Sequence, residues 1–280
     1  MRLELSVLAL LLAAPAWPAT IAETVHFRSG DGNTELTGYL FRPAGPGPHP
    51  AIVMLHGRQG PFSTLAKGVY NASTLTKRHK FWGEFWSERG YVALLVDSFG
   101  PRGFWTGFPR HSYEDRPSEV SEQTVRPMDA YGALAYLKRR HDVAPDRIGL
   151  QGWSNGGMTT LVTMSTASPG ITNPTPANGF RAALAFYPGC GMAAIQDGYT
   201  PYAPVHMFVG TADEEVSAKR CQNWEKKVER AGGPIAITTY EGAQHDFDDP
   251  STSRQSVAPN AEATRDATRF AEEFFRKHLR

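Results

Sequence analysis

The sequence predicts an α/β fold: a mostly parallel sheet with helices on both faces. Three observations carry that expectation. Apolar runs of strand length, Ala51 to Leu55, Tyr91 to Val96, Ile148 to Leu150, Ala182 to Phe186 and Val205 to Val209, lack the alternation of a half-exposed sheet and read as strands covered on both sides. Helical periodicity fills the intervals between strands, as it must when parallel strands are joined by crossovers. Finally, Gly152-Trp153-Ser154-Asn155-Gly156 lies between a buried strand and a helix-forming stretch, Met158 to Met164, which is the setting of a nucleophile elbow.

The individual elements follow in order. Thr24 to Arg28 and Glu35 to Arg42 flank the turn signal Ser29-Gly30-Asp31-Gly32-Asn33 and predict an opening hairpin, closed by the Pro/Gly-rich stretch from Pro43 to Pro50. The strand ending at Leu55 runs into His56-Gly57-Arg58. A helix is expected around Phe81 to Arg89, stopped by Gly90, and the next strand ends at Asp97. From Ser98 to Pro127 the periodicity breaks down into a long segment rich in aromatics and arginine, and a loop of that length is usually functional or poorly ordered. Further helices are expected over Met128 to Arg140, Val216 to Ala231 and Ala261 to His278, with a last strand over Ile235 to Tyr240. Ser168 to Asn178, rich in Pro, Asn and Thr, reads as a loop.

At 280 residues without a Pro/Ser-rich linker, the chain reads as a single domain over 23–280. Lys and Arg (29) nearly balance Asp and Glu (28), and the formal net charge of +1 offers no field for nucleic acid or an acidic partner. Nothing in the composition fixes an oligomeric state. Residues 1–22 differ from the rest. Met1-Arg2 precedes an apolar run from Leu5 to Ala14, too short to span a bilayer, and Ala14-Pro15-Ala16 matches a small-x-small cleavage site. This predicts a signal peptide cleaved after Ala16, Ala19 or Ala22, a periplasmic or secreted protein, and no stable membrane insertion after cleavage.

A serine hydroxyl needs a base within hydrogen-bond reach and a carboxylate to orient that base. Strand Val205 to Val209 ends in Gly210-Thr211-Ala212-Asp213, and the next strand ends in Glu241-Gly242-Ala243-Gln244-His245, so Ser154, Asp213 and His245 follow the order that this architecture imposes. Among the other histidines, His206 lies within a strand and His26, His49, His79, His111, His141 and His278 follow no buried-strand end. His56 is the rival base, but beside Gly57 it is better placed to brace the loop. Glu214, Glu215, Asp246 and Asp248 compete for the role of acid, and Asp213 has the shortest reach from the strand. The oxyanion hole is expected to combine the backbone N–H of Asn155 with that of Arg58.

These residues resemble the α/β-hydrolase superfamily and, within it, the dienelactone hydrolase-like branch. The likeness runs from Ala51-Ile52-Val53-Met54-Leu55-His56-Gly57 through Asp97-Ser98-Phe99-Gly100 and Gly152-Trp153-Ser154-Asn155-Gly156-Gly157 to Gly210-Thr211-Ala212-Asp213 and Gly242-Ala243-Gln244-His245-Asp246-Phe247. It implies an eight-stranded sheet and a hydrolytic triad at Ser154, Asp213 and His245. The name-giving enzyme differs: its nucleophile is a cysteine, and its oxyanion loop carries a glutamate where this chain has His56-Gly57-Arg58-Gln59.

The expected function is therefore serine hydrolysis of a small-molecule carboxylic ester or lactone through an acyl-enzyme, with no metal and no organic cofactor. An amidase, peptidase or acyltransferase would use the same residues. A relic of the fold that binds a ligand without turnover is the alternative of another class, and the intact serine, acid and base weigh against it. Arg58, Arg102 and Arg126 are candidates to pair with an anionic substrate group, against the commoner role of bracing a loop, and Trp153, Phe104 and Trp105 are candidates to line the pocket. Cys190, after the strand Ala182 to Phe186, and Cys221, in the helix after Asp213, are expected to form a disulfide in an oxidising compartment.

Overall fold

Eight strands form one sheet in the computed structural model, which describes residues 22–279. The chain opens with the hairpin β1 (Glu23–Arg28) and β2 (Glu35–Phe41), followed by β3 (His49–Leu55), β4 (Val92–Asp97), β5 (Val143–Trp153), β6 (Ala183–Phe186), β7 (Val205–Gly210) and β8 (Ile235–Tyr240). Across the sheet the order is β1-β2-β4-β3-β5-β6-β7-β8; β1 and β2 pair antiparallel with their neighbours, and the pairs from β4 to β8 are parallel. The signal-peptide expectation falls almost wholly on residues outside those described. No helix among the described residues is long and apolar enough to cross a membrane.

The continuous apolar runs are explained by two helix layers. Along β3, Ala51, Val53 and Leu55 belong to one core and Ile52 and Met54 to the other, so a polar residue at any of these positions would be buried against a helix. The first core is closed by α2 (Arg126–Lys138), α3 (Asn155–Thr163) and α4 (Ala218–Arg230), through residues such as Leu134, Leu161 and Trp224. The second is closed by α1 (Lys77–Glu88), through Trp82 and Trp86, and by α6 (Ala258–His278), which the short α5 (Thr252–Gln255) precedes. Ala263, Ala267 and Ala271 form a small-residue stripe at four-residue spacing on α6, which lets the helix lie close to the sheet. Phe275 continues that stripe over Gly149, where an added Cβ would come within 2.6 Å of the ring.

Differences from the sequence reading lie mainly at element ends. β5 starts at Val143, ahead of the expected Ile148, because Pro145, Asp146 and Arg147 are exposed and carry no apolar signal. The segment 98–127 is held at many points, with short 3₁₀ turns at Gly100–Arg102, Tyr113–Asp115 and Ser118–Val120. Phe108 N–H donates to Arg58 O at 2.8 Å, the Arg58 guanidinium donates back to Phe108 O at 3.2 Å, and Arg116 pairs with the buried Glu122 at 3.0 Å. That loop clasps the segment after β3. A disulfide joins Cys190 to Cys221 with Cα atoms 5.1 Å apart, linking the loop after β6 to α4.

Candidate active site

Ser154 stands where β5 turns into α3, with φ 51° and ψ −114°, a left-handed conformation that costs a non-glycine residue energy and is held by its surroundings. Its N–H donates to Phe186 O at 2.9 Å and its carbonyl accepts from Met158 N–H at 2.8 Å. The glycines on either side are required by contact: a Cβ on Gly152 would drive into the Gly156 carbonyl, and one on Gly156 into the Leu55 carbonyl. The hydroxyl is thereby raised off the end of the sheet, over the start of α3.

His245 and Asp213 come to it from the loops after β8 and β7. Ser154 Oγ lies 3.0 Å from His245 Nε2, and His245 Nδ1 lies 2.8 Å from Asp213 Oδ2. A carboxylate only accepts, so Nδ1 carries the proton and Nε2 is free to accept from the serine. The other Asp213 oxygen accepts from the backbone N–H groups of Glu215 and Val216, each at 2.8 Å, which fixes the carboxylate. The His245 ring is almost fully buried, with Tyr187 packed 4.6 Å away. Burial alone would lower its pKa, but the hydrogen bond to Asp213 and the charges of Asp246, Asp213 and Glu215 outweigh it and hold the value above that of an ordinary histidine.

The cleft in front of Ser154 is bordered by Gly57, Arg58, Gln59, Gly60, Thr76, Arg78, His79, His245, Asp246 and Asp249. Gly57 sits directly on the elbow, where an added Cβ would lie 3.5 Å from Ser154 Cβ. His56 points the other way: its Nδ1 is 2.7 Å from Gly57 O, its Nε2 accepts from Ser98 N–H at 3.2 Å, and burial, followed by the Arg126 charge, pushes its pKa well down. It braces the loop, as its position beside Gly57 suggested.

A family model described as the dienelactone hydrolase family matches residues 36–279. The chain belongs to the dienelactone hydrolase family. By that membership it is a carboxylic-ester hydrolase. It is 24% identical over 221 residues to the "Probable 2-oxo-3-(5-oxofuran-2-ylidene)propanoate lactonase" of a Bradyrhizobium species, a match covering 78% of this chain and 81% of that protein. It is 23% identical over 262 residues to a "Putative carboxymethylenebutenolidase" of Synechocystis, covering 89% and 94% of the two chains. Among solved structures it resembles esterase 2 of Thermogutta terrifontis phosphorylated by paraoxon, with a TM-score of 0.61, 20% identity and coverage of 92% of this chain and 95% of that one. That likeness concerns the fold.

Within this dienelactone hydrolase-family fold, five of the residues expected at the pocket lie elsewhere. Arg126 is fully buried, donates to His56 O at 2.6 Å and faces the Phe99 ring at 5.0 Å; burial brings its pKa down to about 10, which leaves it charged at neutral pH but out of reach of a ligand. Arg102 donates to both oxygens of the buried Asp129 at 2.8 Å and to Ser98 O at 2.8 Å, so it ties the loop to α2. Trp153 is fully buried beneath the elbow. Phe104 and Trp105 are also absent from the cleft wall: Phe104 packs on Phe108 at 5.3 Å, and Trp105, 38% exposed, stacks on Tyr70 at 5.4 Å. Of the three arginines only Arg58 borders the cleft, and it is already bound to Glu215, by Nε at 3.0 Å and Nη2 at 3.1 Å.

Sequence reasoning missed the role of Asp248, which it weighed only as a rival acid. This fully buried carboxylate accepts from the indole N–H groups of Trp82 and Trp153 at 2.8 Å each and from the Tyr187 hydroxyl at 2.5 Å, with Arg78 Nε at 3.3 Å. It therefore joins α1, the residue before Ser154, and the ring packed on His245. Burial raises its pKa in spite of Arg78 and these donors. Its partners are scattered through the chain, so only its position three residues after His245 offered a signal.

Proposed function

We propose that Ser154, His245 and Asp213 act as a catalytic triad that hydrolyses a carboxylic ester or lactone through an acyl-enzyme. The observation that carries this reading is the hydrogen-bonded path from Ser154 Oγ through His245 to Asp213, with steps of 3.0 and 2.8 Å. Ser154 Oγ attacks the carbonyl carbon while its proton passes to His245 Nε2, and the carbonyl electrons move onto oxygen. The N–H groups of Asn155 and Arg58 receive that oxyanion, a role supported by the start of α3 below the serine and by the contact of Gly57 with the elbow. Collapse of the intermediate breaks the ester C–O bond, and the alkoxide takes the proton from His245. Water then attacks the acyl group, giving a proton to His245, and the second collapse returns that proton to Ser154 and releases the acid.

Residues 23–280 form a single catalytic domain in this reading, exported behind the segment 1–22; the Cys190–Cys221 bridge supports an oxidising destination. The triad assignment is tested by turnover of aryl esters in Ser154→Ala, His245→Ala and His56→Ala. The first two should lose activity by at least about a thousandfold. Near wild-type turnover in His245→Ala together with loss in His56→Ala would move the base to His56.

A further inference from the structure

We propose that Glu215 makes this cleft selective by charge, so that it takes esters or lactones with no negative charge near the reacting carbonyl and turns away those bearing a carboxylate. The inference rests on the hydrolase reading above and names its substrate class. Glu215 Oε2 lies 3.9 Å from His245 Nε2, the nitrogen that must serve both the serine and the leaving group. A substrate in place therefore has a carboxylate within a side chain's breadth of its reacting bond. Glu215 does not swing freely. Arg58 grips both of its oxygens, and Arg110 Nε adds a contact at 2.7 Å from the loop opposite.

Among the described residues, no guanidinium on the cleft wall is left over for an anionic substrate, and Arg110 is itself paired with Glu215 and Glu214. Arg58 is occupied by Glu215, and Arg78, the other guanidinium on the wall, is surrounded by Asp246 at 2.8 Å, Asp248 at 3.3 Å and Asp249 at 3.4 Å. His79 adds no charge, because burial and then Arg78 push its pKa down to about 4. Asp246 and Asp249 themselves border the cleft, and Glu215 adds a third carboxylate at its edge, 3.9 Å from His245 Nε2, so a substrate carboxylate could reach Arg58 only by displacing Glu215. Like charges brought together in a partly desolvated site oppose binding and transition state alike. The selectivity would separate this chain from the relative named for a propanoate.

The experiment compares kcat/KM for 4-nitrophenyl butyrate and for the matched 4-nitrophenyl ester ending in a carboxylate, using disulfide-intact protein at low salt. Wild type should favour the uncharged ester by at least about tenfold, and added salt should narrow the gap. Glu215→Gln keeps a side chain that Arg58 can hold, removes the charge, and should raise the anionic-to-neutral ratio by at least about fivefold. Glu273→Gln, on the exposed face of α6, should leave the ratio where it was. Equal or better use of the anionic ester by wild type, or a ratio unmoved in Glu215→Gln, overturns the proposal while sparing the hydrolase reading. If neither ester is cleaved, the hydrolase reading falls. The charge claim is then decided by calorimetry with phenylboronic and 4-carboxyphenylboronic acids: tighter binding of the uncharged acid, with the difference reduced in Glu215→Gln, upholds it, and equal binding overturns it.

Discussion

Two buried carboxylates lie near His245, Asp213 against its ring and Asp248 behind Tyr187, and they are held in different ways. Asp213, on the loop after β7, accepts from two backbone N–H groups of its own loop and aims its remaining oxygen at the imidazole. Asp248, three residues beyond His245, accepts only from side chains, drawn from α1, β5 and the loop after β6. The first is held locally and faces the imidazole proton on Nδ1, beside the proton path of the proposed mechanism. The second is held by distant parts of the chain and faces donors that have no reason to move. Burial of an acid beside an active centre thus does not identify its task; the kind of donor around it does.

The largest effects should come from the proton path itself. Ser154→Ala and His245→Ala are each expected to remove at least about three orders of magnitude of kcat, with Asp213→Asn costing less than either and leaving the urea midpoint nearly unchanged. Asp248→Ala should do the reverse. Two indole N–H groups and a phenol would lose their acceptor and Arg78 one of its three neighbouring carboxylates, at about 3–5 kcal/mol of stability, which urea unfolding of the variant measures. A large loss of stability in Asp213→Asn, with none in Asp248→Ala, would invert the comparison.

Smaller effects sharpen the same contrast. Replacing both Cys190 and Cys221 by serine should lower stability by roughly 3–4 kcal/mol, because the unfolded chain is freed from a loop of about thirty residues; denaturant midpoints report it. The smallest expected effect is on the pH profile. His245 must be neutral to act as base, and its pKa is held up by Asp213, Asp246 and Glu215 against burial, so kcat/KM should fall as pH drops through a value above the ordinary 6.5. Asp246→Asn removes one of those charges and should move this acid limb to lower pH, whereas a limb that stays put would mean that Asp246 does not act on the imidazole.

What the sequence revealed follows the range of the interactions involved. That Ser154, Asp213 and His245 would come together was legible because each is marked by neighbours in the chain: an apolar run, a glycine, then the candidate residue. Cys190 and Cys221 could be paired because β6 and β7 are adjacent strands. Arg102 and Arg126 take the bracing role that was the commoner expectation for them, and the sequence could not show what they brace because a guanidinium announces its charge but not its direction. Their partners, Asp129 and the carbonyl of His56, lie in a helix and in another loop. Asp248 was undervalued for the same reason, since Trp82 and Tyr187 meet it only once α1 and the strands are assembled. Element ends slipped where Pro145, Asp146 and Arg147 carry β5 through exposed positions.

Whether Ser154 Oγ is the attacking nucleophile is decided by treating the disulfide-intact protein with paraoxon and mapping the adduct by peptide mass spectrometry. A single diethylphosphoryl group is expected on the peptide containing Ser154, with loss of ester hydrolysis in step with its formation and no adduct in Ser154→Ala. Ester hydrolysis that persists in fully treated protein, or an adduct on any other residue that alone accounts for the lost activity, would contradict that role for Ser154.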